Sequence, residues 1–272
     1  MPDLLSPVVS AVAAVLTTAH SAASALGLAP GSPGAWLVAV GLLVVAVRTA
    51  LLPLTVHGVR AAHARARATP ALRELRSRYA GTRDLDRLRA MREEQRSIRA
   101  EHGVSSWSLA PALLQLPLVY ALYRVVADLA NGHAVGALDA GLVASASAAS
   151  VYGLHLTTRL GPALGSGAPG LVLVGLAVLA AALSLATQRW FALPNADLTD
   201  VPDAVAGVQR LVPWLGAAGV LAAAAFVPAG VLLYWVLTNA WTFAQQGLVA
   251  RFWPTPGTPA AARRVARLAS SA

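Results

Sequence analysis

The sequence predicts an all-α polytopic membrane protein. Five transmembrane helices are expected, with the N-terminus outside, the C-terminus inside, and a cytoplasmic helical hairpin after the first span. Three observations lead there. Of 272 residues, 57% are hydrophobic and 12% charged, whereas a soluble domain carries about 45–50% and about 25%. Mean hydropathy is +0.61. Five runs approach the length of about 20 apolar residues that crosses a bilayer, and the basic residues, all of them Arg, are concentrated in particular loops.

Residues 1–33 contain neither Arg nor Lys, so the positive region that opens a secretory signal is missing. The apolar run Leu4 to Leu28 is broken by Ser, Thr and His20. It is expected to be an external amphipathic segment lying on the membrane surface; a sixth span and a cleaved signal are the alternatives. The first span is placed at about 34–56.

Residues 57–102 carry twelve arginines against six acids. Thr69-Pro70 reads as an N-cap followed by Pro at the first helical position, opening a helix with Leu72, Leu75 and Tyr79 on one face. Thr82 is expected to cap a second helix running to Glu101, with Leu85, Leu88, Met91 and Ile98 as its apolar stripe. Together they form the cytoplasmic hairpin within 57–108.

The second span is placed at about 109–127 and the third at about 169–187. Between them, 128–168 is Ala/Gly/Ser-rich and carries one arginine, Arg159. From Leu211 to Ala250 an apolar run of 40 residues would overshoot the bilayer roughly twofold as one helix. Pro228 and Gly230 mark a reversal, giving spans at 211–228 and 229–250. Residues 251–272 form a basic tail. The positive-inside rule places 57–108, 188–210 and this tail in the cytoplasm, in agreement with an odd number of spans. Trp36, Trp190, Trp214 and Trp253 lie near span ends, as in an aromatic belt.

The five predicted spans (34–250) form the core, and one residue in it is costly. Arg48 lies within the first span, where a guanidinium costs from about 2.5 to well over 10 kcal/mol. Snorkelling to the cytoplasmic edge and a polar cavity between helices are both open; the cavity is the favoured reading. No Asp or Glu occupies another span, so water or a visiting acidic group must be its partner. Gln115, Gln188, Asn239 with Thr238, and Gln245-Gln246 are the other polar residues in or beside spans, each serving either as interhelical glue or as part of a wet groove.

Other chemistry finds little support. The sequence pI of about 11.3 fits nucleic-acid binding, but the arginines follow membrane topology and no specific DNA binding is expected. With no Cys, disulfides, thiolate metal sites and an N-terminal lipidated Cys are excluded. No HExxH, GxSxG or Walker loop occurs. No cofactor, metal or enzymatic activity is expected.

Four stretches in order carry a family resemblance: VRTALLPLTV (47–56), TPALRELRSRYAG (69–81), EHGVSSWSLAPALLQLPLVYALYRVV (101–126) and FVPAGVLLYWVLTNAWTFAQQ (226–246). The chain resembles the YidC/Oxa family of membrane protein insertases, in its short bacterial five-span form. The resemblance implies a hydrophilic groove open to cytoplasm and lipid, with Arg48 at its centre by motif match, and Gln188 and Trp235 lining it by position. It implies a multi-pass protein of the bacterial plasma membrane acting on nascent membrane proteins in the lipid bilayer. The Sec translocon and the ribosome are further candidate partners, and no nucleotide is required. The alternatives are a small-solute or anion transporter or channel using Arg48, and a purely structural membrane adaptor.

Overall fold

A computed structural model describes residues 5–104, 110–151, 153–196 and 203–270, with backbone alone for 110–116, 151 and 203–206. The side chain of Gln115 falls outside the described residues. Among the described residues the chain is mainly helical, with one two-residue antiparallel ladder, Ser150–Val151 (β1) with Leu154–His155 (β2). Its helices are α1 (Ser6–Ala25), α2 (Pro33–Ala50), α3 (Leu52–Arg78), α4 (Leu85–Glu101), α5 (Ala110–Ala130), α6 (Ala140–Ala148), α7 (Leu160–Ala163), α8 (Ala168–Ala186), α9 (Asp203–Ala224), α10 (Ala229–Phe252) and α11 (Pro259–Ser270). A π-helical turn, Thr187–Ala192, and a 3-10 turn, Leu193–Asn195, follow α8.

The chain forms two compact units. The first comprises residues 1–51, 112–186 and 212–244, the second 52–111, 187–211 and 245–272. Among the described residues, three helical segments are long and apolar enough to cross a membrane: Ser6–Ala25, Pro33–Ala50 and Ala168–Asn195. Large apolar side chains stand exposed along two of them, including Leu37, Leu42 and Val45 on α2 and Leu171, Val178 and Leu179 on α8. Exposed apolar rows of that extent suit contact with lipid and not with water. The protein is an all-α membrane protein.

Within the first unit, α1 packs along α2. Val9, Val12, Ala13, Leu16 and Ala23 meet Ala35, Trp36, Ala39, Val40 and Leu43, all buried. Small buried residues on both helices, Ala13, Ala19 and Ala23 on α1 and Ala35 and Ala39 on α2, favour close packing. Ser32 caps α2 by accepting from the Ala35 N–H at 3.2 Å, with Pro33 at the first helical position. Trp36, expected in the aromatic belt, is 1% exposed instead: its ring lies 4.2 Å from buried His20 and its Nε1 donates to Ser145. His20 in turn bonds the Pro30 carbonyl at 2.9 Å, so both polar edges are satisfied inside the core. Trp190, Trp214 and Trp253 do stand exposed.

The first predicted span is not one helix. Helix α2 ends at Ala50, where the Leu51 N–H still reaches the Val47 carbonyl, and α3 begins at Leu52. Pro53 explains the break: it has no N–H, its ring clashes with the carbonyl four residues back, and it disfavours the helical region for Leu52 as a continuation. As the second residue of a new helix it fits without cost.

In the same unit, a helix break falls at Pro228, where the apolar run was expected to divide. Helix α9 stops at Ala224 and α10 starts at Ala229. The first N–H groups of a helix have no partner within it; here Ala229 and Gly230 donate to the Thr158 and Leu156 carbonyls at 2.8 and 2.9 Å. Asp139 caps α6 through the Leu142 N–H, ordering part of the segment whose pattern was weakest.

The second unit corrects the reading of the Arg-rich segment. Thr69-Pro70 does not open a helix; α3 runs through it to Arg78 with Pro70 inside. The Thr69 hydroxyl donates back to the Arg65 carbonyl. Buried Ala64, Ala68 and Leu75 lie on one face on both sides of the proline, and this packing holds the two halves in register. Asp84, not Thr82, caps α4, accepting from the Asp86 N–H. The expected apolar stripe on α4 packs into no core: none of its residues is buried and Leu85 is exposed.

Polar contacts join the two helices of this hairpin. The Tyr79 hydroxyl donates to Glu94 at 2.9 Å and Arg78 pairs with Glu94 at 3.2 Å. The hydrogen bond to the Glu94 carboxylate, helped by partial burial, holds the Tyr79 phenol above its ordinary value. An acid with a raised folded value contributes stability below its unfolded value, lost as pH rises through the folded one. Tyrosinate absorbance should therefore show a late-titrating component that moves to lower pH in Glu94→Gln; an unchanged titration would contradict the clasp.

Candidate functional site

Arg48 is placed by the last turn of α2, two residues before the helix stops at Ala50. The end of a helix carries partial negative charge from its unpaired carbonyls, which favours a cation. The guanidinium is half-buried. Its electrostatic neighbour is Tyr234, near the start of α10, itself 5% exposed. Tyr234 is hydrogen-bonded to the side chain of Thr238, and Thr242 donates to the Thr238 carbonyl at 2.8 Å. Among the described residues Arg48 makes no ion pair. A cation in this setting, beside a phenol and paired with no carboxylate among the described residues, can attract an acidic group.

The other expected groove residues divide. Trp235 is half-buried and packs on the apolar cluster of the first unit. Asn239 donates its Nδ2 to the Trp235 carbonyl at 2.8 Å, so half of its amide is used within its own helix. Gln188 is half-buried on the π-helical turn and belongs to the second unit. Arg48, Trp235 and Asn239 belong to the first.

Tyr234 was not singled out from the sequence, although the signal was there. Tyr234, Thr238, Thr242 and Gln245 recur every three or four residues along α10, which puts them on one face. With Asn239 and Gln246, those residues lower the mean hydropathy of α10, 24 residues long, which is absent from the helices apolar enough to span.

In the second unit, Gln245 donates to the Thr55 hydroxyl. They lie in a pocket of about 430 Å³ whose walls are Leu52, Val56, Val59, Leu248 and Val249, with Arg60, His63 and Trp253 around it. His63 bonds the Trp253 carbonyl at 3.2 Å. The combination of an apolar wall with a polar floor suits an amphipathic segment. Among the described residues no cluster of His, Asp and Glu could hold a metal.

Comparison with known proteins places this arrangement. Residues 28–255 match the family model described as 60Kd inner membrane protein. The membrane protein insertase YidC of Streptomyces avermitilis is 31% identical over 86% of this chain, which spans 55% of that protein's length. The YidC of Tropheryma whipplei is 25% identical over 98% of this chain and 90% of its own. YidC 2 of Streptococcus pneumoniae is 29% identical over 76% of this chain and 64% of its own. With most of its length matched and its four motifs in order, the chain belongs to the YidC/Oxa family of bacterial plasma-membrane proteins.

Proposed function

We propose that this protein is an insertase and membrane chaperone that guides short polar tails and apolar segments of nascent membrane proteins from the cytoplasm into the bilayer. The observation that carries the reading is Arg48: a half-buried guanidinium beside Tyr234, with no ion pair among the described residues. In the proposed topology five spans leave the N-terminus outside, and Arg48 is the centre of a groove wetted from the cytoplasm, with Gln115, Trp235 and Asn239 as further groove residues. Helix α1 is long and apolar enough to cross, yet the Arg distribution is satisfied with it outside.

The mechanism is thermodynamic and involves no chemical step. A polar tail would otherwise cross about 30 Å of hydrocarbon, paying the desolvation of every unpaired polar group. A wet groove shortens the dry path, and Arg48 draws acidic side chains of the tail into it. The substrate's apolar segment then leaves sideways into lipid, and its burial there, at about 25 cal/mol per Å², drives the step. The Arg-rich hairpin α3–α4 is the surface proposed to receive the substrate, the ribosome or the Sec translocon.

Purified protein in liposomes should insert a single-spanning substrate with a short acidic tail, without added nucleotide, as scored by protection of the tail from external protease. Depleted cells should accumulate the same substrate uninserted. Anion flux without insertion would instead support a transporter centred on Arg48.

A further inference from the structure

The C-terminal helix has a feature that substrate insertion does not use. Thr258 caps α11, accepting from Ala261, and the Thr255 N–H is fixed by the Asn195 side chain at 2.7 Å. These contacts hold α11 beside the end of α10 and the turn after α8, enclosing a pocket of about 300 Å³. Arg251 from α10 and Arg263 and Arg267 from α11 line it, with Trp190 and Phe191. No carboxylate is among the lining residues, and none of these arginines forms an ion pair among the described residues. By contrast Arg78, Arg89 and Arg124 are all paired with acids. Three guanidiniums around one cavity repel one another unless an anion joins them.

The surroundings select the anion. On α11, Val265 and Leu268 are exposed on the side opposite Arg263 and Arg267. Trp190, Phe252 and Trp253 are exposed nearby in the same unit. A basic face, an apolar face and aromatic residues together are the composition of a helix lying at a headgroup boundary; nucleic acid would not reward the exposed Val, Leu and Phe.

The geometry points to a binding site for the phosphate of an anionic phospholipid headgroup, formed by Arg251, Arg263 and Arg267 and closed by α11. The phosphate oxygens accept from the guanidiniums while the acyl chains run along the exposed aromatic and aliphatic side chains. The site would clamp the C-terminal helix to the cytoplasmic leaflet.

The test uses the full chain in detergent, titrated with phosphatidylglycerol or phosphatidylcholine and read by native mass spectrometry as retained lipids per protein. Phosphatidylglycerol should be retained and phosphatidylcholine not. The double variant Arg263→Gln/Arg267→Gln should weaken retention about 30-fold, since each basic residue near an anionic surface contributes about one kcal/mol. Arg264→Gln, an exposed arginine that does not line the pocket, serves as the control and should leave retention unchanged. Glycerol phosphate at matched concentration should not displace the lipid; if it does so fully, the site takes free phosphate and the proposal fails. Equal retention by wild type and the double variant would overturn it. So would an RNA oligonucleotide whose binding alone depends on Arg263 and Arg267.

Discussion

Arg48→Ala is expected to lower insertion of an acidic-tailed substrate by about tenfold while leaving a neutral-tailed one within about twofold. The factor corresponds to about 1.4 kcal/mol, the attraction between unit charges about 12 Å apart at an effective dielectric of about 20. The side chain's surroundings make the experiment clean. It makes no ion pair among the described residues, so its removal strands no carboxylate, and the largest cost of deleting a buried charged partner does not arise. Arg48→Lys keeps the charge and should be milder, losing the planar fork that engages a carboxylate through two bonds. The measurement is protease protection in liposomes with paired substrates differing only in tail charge. Equal losses for both tails would show that the residue acts through packing and not through charge.

Gly170→Ala is the largest structural effect expected. Gly170 sits in the first turn of α8 against the short helix α7, and a Cβ built there would overlap the carbonyl oxygen of Ala163. That obstacle is backbone, fixed by buried Ala163, and cannot swing aside as the tip of a long side chain would. Overpacking of this kind costs about 1–3 kcal/mol, against which the gain of about 0.5–1 kcal/mol from replacing glycine in a helix is smaller. A fall of several degrees in the unfolding temperature in detergent is the expected readout. Gly175→Ala on the same helix, where no atom lies within 4 Å of the new carbon, should be neutral or slightly stabilising. Equal behaviour of the two variants would contradict the proposed clash.

What the amino-acid pattern revealed and what it hid follow from how far each signal reaches along the chain. The helix expected at 169–187 was legible almost to the residue, against Ala168–Ala186, because a long apolar run opened by Pro and Gly admits few alternatives. Pro228 was legible for the same reason. The stop at Ala50 was hidden because apolar residues run on through it, from Ala50 to Leu54; only Pro53 betrayed it, and a proline is compatible with either a kink or a fresh start. Thr69-Pro70 misled in the opposite direction. Local chemistry favoured a beginning there, but Ala64, Ala68 and Leu75 found a common surface, and tertiary packing overrode the local preference. Of the candidate site, Arg48 was visible as a charge out of place, whereas Tyr234 showed only as one member of a polar stripe along α10, a pattern that does not name Arg48 as its neighbour.

The setting of Arg48 has a kinetic corollary for the proposed role. Because no carboxylate among the described residues pairs with Arg48, an arriving acidic side chain displaces no competitor. An attraction of about 1.4 kcal/mol is also a shallow well, quick to enter and quick to vacate. A carrier of many different passengers gains from such short residence, since tight capture of one would stall the next.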